Sequence, residues 1–74
     1  MHYREGTNYL NQGVYDRAER KFKQALEINP NFAHAHCKLG ERYLQTGRGG
    51  LARERQKTLD SLDPVMAAKL RKMF

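Results

Sequence analysis

The chain has 74 residues, 39% hydrophobic and 30% charged, which suits one small globular domain and excludes both disorder and a deep, water-free pocket. Fourteen Lys and Arg against eight Asp and Glu leave a net +6; residues 1–47 hold seven basic and five acidic residues, residues 48–74 seven and three, so the excess sits in the C-terminal third. No apolar stretch approaches the roughly 20 residues of a membrane span, Met1-His2-Tyr3-Arg4-Glu5 lacks a signal-peptide core, and the lone Cys37 excludes an internal disulfide, so a cytoplasmic, reducing setting without membrane contact is expected.

In chain order, Tyr3, Gly6, Tyr9 and Leu10 recur at the three-and-four spacing of a helical face, and Gly13 stands where a helix C-cap needs positive φ. A second helix follows, with Ala18, Phe22, Ala25, Leu26 and Ile28 on its apolar stripe. Asn29-Pro30 stops it, because proline cannot donate to the helical ladder and restrains its predecessor. Ala35, Leu39, Tyr43 and Leu44 mark a third helix closed by Gly47. Leu51, Ala52, Leu59 and Leu62 mark a fourth, which ends at Asp63-Pro64. Residues 65–74 read as a fifth helix, with Asp63 as its cap, Pro64 in its first turn, and Lys69, Arg71 and Lys72 complementing the dipole at its end.

These elements repeat. A shift of 34 residues, without a gap, pairs Gly6 with Gly40, Tyr9 with Tyr43, Leu10 with Leu44, Gly13 with Gly47, Ala18 with Ala52 and Pro30 with Pro64. A Gly inside a helix costs about 1 kcal/mol relative to Ala. Gly6 and Gly40 are therefore read as sites of close contact between the helices of a pair. Glu5 departs from the pattern in the first copy, where Leu39 stands in the second. In the second copy Gln56 replaces the aromatic seen as Phe22 and Gly49-Gly50 loosen the start of the fourth helix, so the outer helix of the second copy is expected to be the weaker one.

In residues 1–64, Gly6, Tyr9, Ala18, Phe22, Ala25 and Pro30, then Leu39, Gly40, Tyr43, Ala52 and Pro64, resemble the tetratricopeptide repeat signature. The resemblance implies an all-α fold, a right-handed superhelical stack of two antiparallel helix pairs with a fifth terminal helix. One domain is expected over residues 1–74, with repeat one at 1–32, repeat two at 33–64 and a capping helix at 65–74. It also implies a non-catalytic adaptor or scaffold that binds a protein or peptide along its concave groove. The positions that match the family's groove are Tyr3, Thr7, Leu10, Asn11, His34, Cys37, Lys38, Glu41, Leu44 and Gln45. The family members that grip chaperone C-termini place Lys and Asn where this chain has Tyr3, Thr7 and Lys38, so that ligand is disfavoured.

The remaining chemistry is sparse. His34 and Cys37, three apart on one helix, supply two metal ligands where a structural zinc needs four, and the histidines read as surface residues. Cys37 has His34 one turn away but no third group to orient a base, so no catalysis, cofactor or metal is expected. The +6 charge favours an acidic partner. The alternative is a basic helical-repeat module binding nucleic acid, with Arg48, Arg53, Arg55, Lys57, Lys69, Arg71 and Lys72 on phosphates and Tyr3, Tyr9, Tyr15 and Tyr43 stacking bases. A third possibility is assembly inside a longer array. Two repeats leave apolar ends, so self-association through the first helix or an exchanged C-terminal helix carrying Leu70, Met73 and Phe74 is also expected.

Overall fold

Each glycine expected to close a first helix adopts the left-handed conformation, Gly13 at φ 78° and Gly47 at φ 75°. Around them the same two bonds recur. Val14 N–H donates to Tyr9 C=O at 2.9 Å and Gly13 N–H to Leu10 C=O at 3.1 Å; Arg48 N–H donates to Tyr43 C=O at 2.7 Å and Gly47 N–H to Leu44 C=O at 3.3 Å. This pair of crossed bonds is the Schellman closure, which satisfies the last carbonyls of a helix only when the turning residue takes positive φ. The period in the sequence is thus a period in backbone hydrogen bonding.

The computed structural model describes residues 2–74; Met1, the first residue expected in repeat one, lies outside them. Those residues form five helices: α1 (His2–Asn11), α2 (Tyr15–Ile28), α3 (Ala33–Gln45), α4 (Gly49–Leu62) and α5 (Pro64–Arg71), with no strand among them. The fold is all-helical. Helix α1 packs on α2, α3 on α4, and α2 on α3; α5 packs on both α3 and α4.

The core divides into two clusters. Ala18, Phe22, Leu39, Tyr43 and Ala52 form the first, with Tyr3, Tyr9, Leu10, Leu26 and Leu44 packed at its edge. Leu59, Ala67 and Leu70 form the second, joined by Ala33, Cys37, Leu44 and Met66. Two stripe residues stand in solvent. Ile28 is 73% exposed and Leu51 42% exposed. At 3.6 residues per turn, each stands about a quarter-turn off the line through its helix's buried alanine.

The fifth helix begins one residue earlier and ends sooner than expected. Asp63 Oδ1 accepts from Met66 N–H at 3.2 Å, which caps the helix at Pro64. Its end tightens into a turn, with Met73 N–H on Leu70 C=O at 3.0 Å and Phe74 N–H on Arg71 C=O at 3.2 Å. The paired glycines do not delay α4, which starts at Gly49 and runs 14 residues, the length of α2.

Gly6 and Gly40 both mark close approaches, but with different neighbours. A Cβ on Gly6 would lie 2.8 Å from Phe22 Cε1, on the partner helix of the same pair. A Cβ on Gly40 would lie 2.6 Å from Leu70 Cδ2, which belongs to α5 rather than to the paired α4. The paired helix is in ordinary contact there, with Arg55 Cβ at 3.5 Å, but the tight approach is to α5. Gln56, period-matched to Phe22, turns its amide to Asp60 Oδ2 at 2.8 Å and leaves the notch to Leu70.

Candidate peptide-binding face

The candidate residues Tyr3, Thr7, Leu10 and Asn11 lie on α1, and His34, Cys37, Lys38, Glu41, Leu44 and Gln45 lie on α3. All ten keep solvent exposure; Asn11, His34 and Gln45 are the most open. The helices are held by the buried residues on their other sides, Gly6 on α1 and Ala35, Leu39, Gly40 and Tyr43 on α3.

Several of the ten already have neighbours. Tyr3 sits in an aromatic corner, its ring 5.6 Å from Phe22, 4.7 Å from Phe32 and 6.3 Å, edge-on, from His34. Phe32 was absent from the sequence-based set, although a large apolar residue two places after Pro30 is a signal for a loop anchored by packing. Thr7 Oγ1 donates to the Tyr3 carbonyl at 3.0 Å, so its hydroxyl proton is spent on its own helix. Lys38 Nζ lies 3.9 Å from Glu41 Oε2, a loose surface pair. Gln45 Oε1 accepts from Arg42 Nη1, and the Arg42 guanidinium stacks 3.8 Å from the Tyr15 ring centroid. Cys37 and Leu44 pack against the Leu59–Ala67–Leu70 cluster, so they stand at the base of the face beside α5.

The histidines do not all lie on the surface. His36 is 5% exposed. Its Nδ1 lies 3.2 Å from Arg55 Nη1 and its Nε2 lies 2.7 Å from the Pro30 carbonyl. An arginine nitrogen can only donate, so Nδ1 accepts and Nε2 carries the proton that it donates to Pro30. Burial holds the His36 pKa below its usual 6.5; the bond to Pro30 opposes this and the charge of Arg55 adds to it. Burial pushes the Cys37 thiol up, reinforced by Glu41. A raised thiol pKa is the opposite of what a nucleophilic cysteine needs. No three His, Cys, Asp or Glu side chains converge as metal ligands among the described residues.

The basic C-terminal third is more engaged than its sequence suggests. Arg48 Nη2 lies 2.8 Å from Glu19 Oε2, and its guanidinium covers the Tyr43 ring at 4.8 Å. Arg71 Nη2 lies 2.7 Å from Asp60 Oδ1. Arg55 turns inward to His36, so of the run Arg53, Arg55 and Lys57 only Arg53 and Lys57 stand in solvent. No helix among the described residues is long and apolar enough to cross a membrane.

The family profile described as TPR repeat matches residues 6–47, more than half of the chain. The chain belongs to the tetratricopeptide repeat family. No curated protein and no solved structure matches it. Tetratricopeptide repeats in general mediate protein–protein interaction and typically are not catalytic. In this tetratricopeptide protein the profile spans α1, α2 and α3 up to Gly47, which includes every candidate residue except Tyr3.

Proposed function

We propose that this tetratricopeptide chain is a non-catalytic adaptor that binds an acidic protein or peptide segment along the face formed by α1 and α3. The observation that carries the reading is the aromatic corner of Tyr3, Phe32 and His34, a half-open apolar anchor beside polar groups on the same helices. Asn11 and Lys38 supply bonds to a backbone or carboxylate, and Leu10 and Leu44 add apolar contact. The net charge of +6 steers an acidic segment toward it.

The tyrosines favour this reading over nucleic acid binding. Tyr43 is buried and roofed by Arg48, Tyr9 is half-buried with Arg17 5.9 Å from its ring centroid, and Tyr15 carries Arg42. Of the four candidate tyrosines only Tyr3 keeps a ring free of arginine, and Tyr3 packs into the Phe22–Phe32–His34 corner, far from the basic C-terminal third of the sequence. Self-association belongs to the proposal through the exposed Met73 and Phe74; Leu70, fully buried on Gly40, enters it only if α5 leaves its own chain.

The test is a nuclease-treated pull-down followed by titration of the recovered segment. Replacing Asn11 and Lys38 by Ala should weaken binding several-fold with helicity unchanged, and salt raised to about 0.5 M should slow association. Binding that survives the double substitution but vanishes on neutralising Arg53 and Lys57 would move the working surface to α4.

A further inference from the structure

A recess between α2 and α4 shares no lining residue with the ten candidates of the α1–α3 face. Lys23, Leu26 and Glu27 of α2 form one wall, Arg55 of α4 the other, and Leu39 and Tyr43 of α3 the floor. Its volume is about 360 Å³, enough for one or two side chains and too open to enclose a small molecule.

The recess carries two cations, Lys23 and Arg55, and one anion, Glu27, and none of the three is ion-paired among the described residues. Among the described residues neither Lys23 nor Arg55 takes part in an ion pair, whereas Lys21, Lys38, Arg48 and Arg71 each do. Arg55 is the sharper case. Its Nη1 is held by His36, and its Nε is buried with no hydrogen-bond acceptor. A buried guanidinium N–H without an acceptor is unfavourable, and a carboxylate is the acceptor that matches its fork. The His36 contact cannot serve as counter-charge, since an imidazole is neutral or cationic and here only accepts a hydrogen bond. Glu27 shares the recess yet forms no ion pair with either cation, so it is a fixed negative charge on the rim.

We propose that the recess between α2 and α4 is a second docking site, which takes a Glu or Asp side chain of a protein partner together with the apolar residue beside it. The carboxylate pairs with Arg55 and Lys23, and the apolar neighbour lies on the half-buried Leu26, above the buried Leu39 and Tyr43. Charge complementarity selects the occupant: an unpaired Arg and Lys over an apolar floor fit an acidic residue flanked by a hydrophobic one. A basic or purely apolar segment leaves both cations unpaired. Glu27 opposes the same ligand, so removing its charge should strengthen binding.

The experiment uses the whole chain and a blocked hexapeptide alternating leucine and glutamate, followed by amide and arginine Nε–H shifts in NMR titrations. The expected result is a set of saturable shifts at Lys23, Leu26, Leu39, Tyr43 and the Arg55 Nε–H. The glutamine counterpart of the peptide should bind at least about fivefold more weakly. Lys23→Gln should weaken binding several-fold and Glu27→Gln should strengthen it; both positions are exposed, so neither change threatens the fold. Arg55→Gln should abolish the shifts. Equal binding of the glutamine peptide, or indifference to both Lys23→Gln and Glu27→Gln, overturns the site. Shifts confined to α1 and the outer face of α3 overturn it too, and would at the same time support the α1–α3 face. A short single-stranded oligonucleotide that displaces the peptide from these residues would reassign the recess to phosphate.

Discussion

Gly40 and Leu70 allow the packing to be tested by a change of sign. An ideal Cβ at residue 40 would lie 2.6 Å from Leu70 Cδ2, 3.2 Å from its Cδ1 and 3.5 Å from Arg55 Cβ. Leu70 is 0% exposed, so its methyls have no solvent to move into. Gly40→Ala sets two effects against each other. Overpacking costs about 1–3 kcal/mol, whereas a helical Ala in place of Gly stabilises by about 1 kcal/mol. With overpacking near the middle of its range, the net is a loss of about 1 kcal/mol, or roughly 4–8 °C in Tm for a domain of this size. Leu70→Ala alone should cost about 2–5 kcal/mol, through lost burial and the cavity left behind. In that background the opposing methyls are gone, and Gly40→Ala should instead stabilise by about 1 kcal/mol. The pair therefore couples by about 2 kcal/mol, as residues in contact do. Thermal melts of the four proteins by circular dichroism, in a fixed sucrose concentration that keeps the weakest folded, measure it. A stabilising Gly40→Ala in the parent, or the same shift in both backgrounds, would refute the notch.

Three further outcomes follow from single contacts. Asp63→Ala removes the only side-chain cap bond at the start of α5 and should cost about 1 kcal/mol, while Asp63→Asn should recover most of it; equal losses would mean that the cap bond is not what holds α5. His36, held below 6.5 by burial, stays neutral in the fold while the unfolded chain takes up the proton. Its contribution is intact above about pH 6.5 and is lost as pH falls below that, so urea midpoints should drop between about pH 7.5 and 5.5 and drop less in His36→Gln; equal drops would refute the assignment. Sedimentation over a concentration series should show reversible association that Met73→Ser with Phe74→Ser reduces; a parent that stays monomeric throughout would remove self-association from the proposal.

The fold was largely legible because its punctuation is chemical. Gly13 and Gly47 repeat a positive φ that few other residues tolerate, and Pro30 and Pro64 each follow a helix whose last bonds, Asn29 N–H on Ala25 C=O at 2.9 Å and Asp63 N–H on Leu59 C=O at 2.7 Å, match across the repeat. Burial was less legible wherever it depends on a distant partner. His36 reads as a polar surface residue until the Pro30 carbonyl and Arg55 are placed on its two nitrogens. Arg55 looks like one of a basic run and is drawn inward by the same contact. The two helices that carry the ten candidate residues were legible, but the packing of Phe32 against Tyr3 was not. Phe32 lies between the repeats, where a helical period assigns no role.

Leu70 is where the repeat stops copying itself, and the reason joins two departures. Gln56 withdraws the aromatic ring that, as Phe22, fills the notch over Gly6 in the first pair. The second pair would then leave Gly40 facing a void, with lost contacts along its whole lining. The connection into α5 is also shorter than its counterpart. Helix α3 starts at Ala33, after a turn that follows Asn29, whereas α5 starts at Pro64, directly after the capping Asp63. That early start lays α5 across both α3 and α4 and seats Leu70 in the notch. Helix α5 thus completes the core of the second pair as well as covering its end. One consequence reaches the proposed α1–α3 face. Cys37 and Leu44 pack on the cluster that contains Leu70, so α3 is held from the α5 side as well as by α2 and α4. Lys38 and Glu41 are thereby carried on a helix braced on three sides, which under the proposed function would lower the ordering cost of docking a partner.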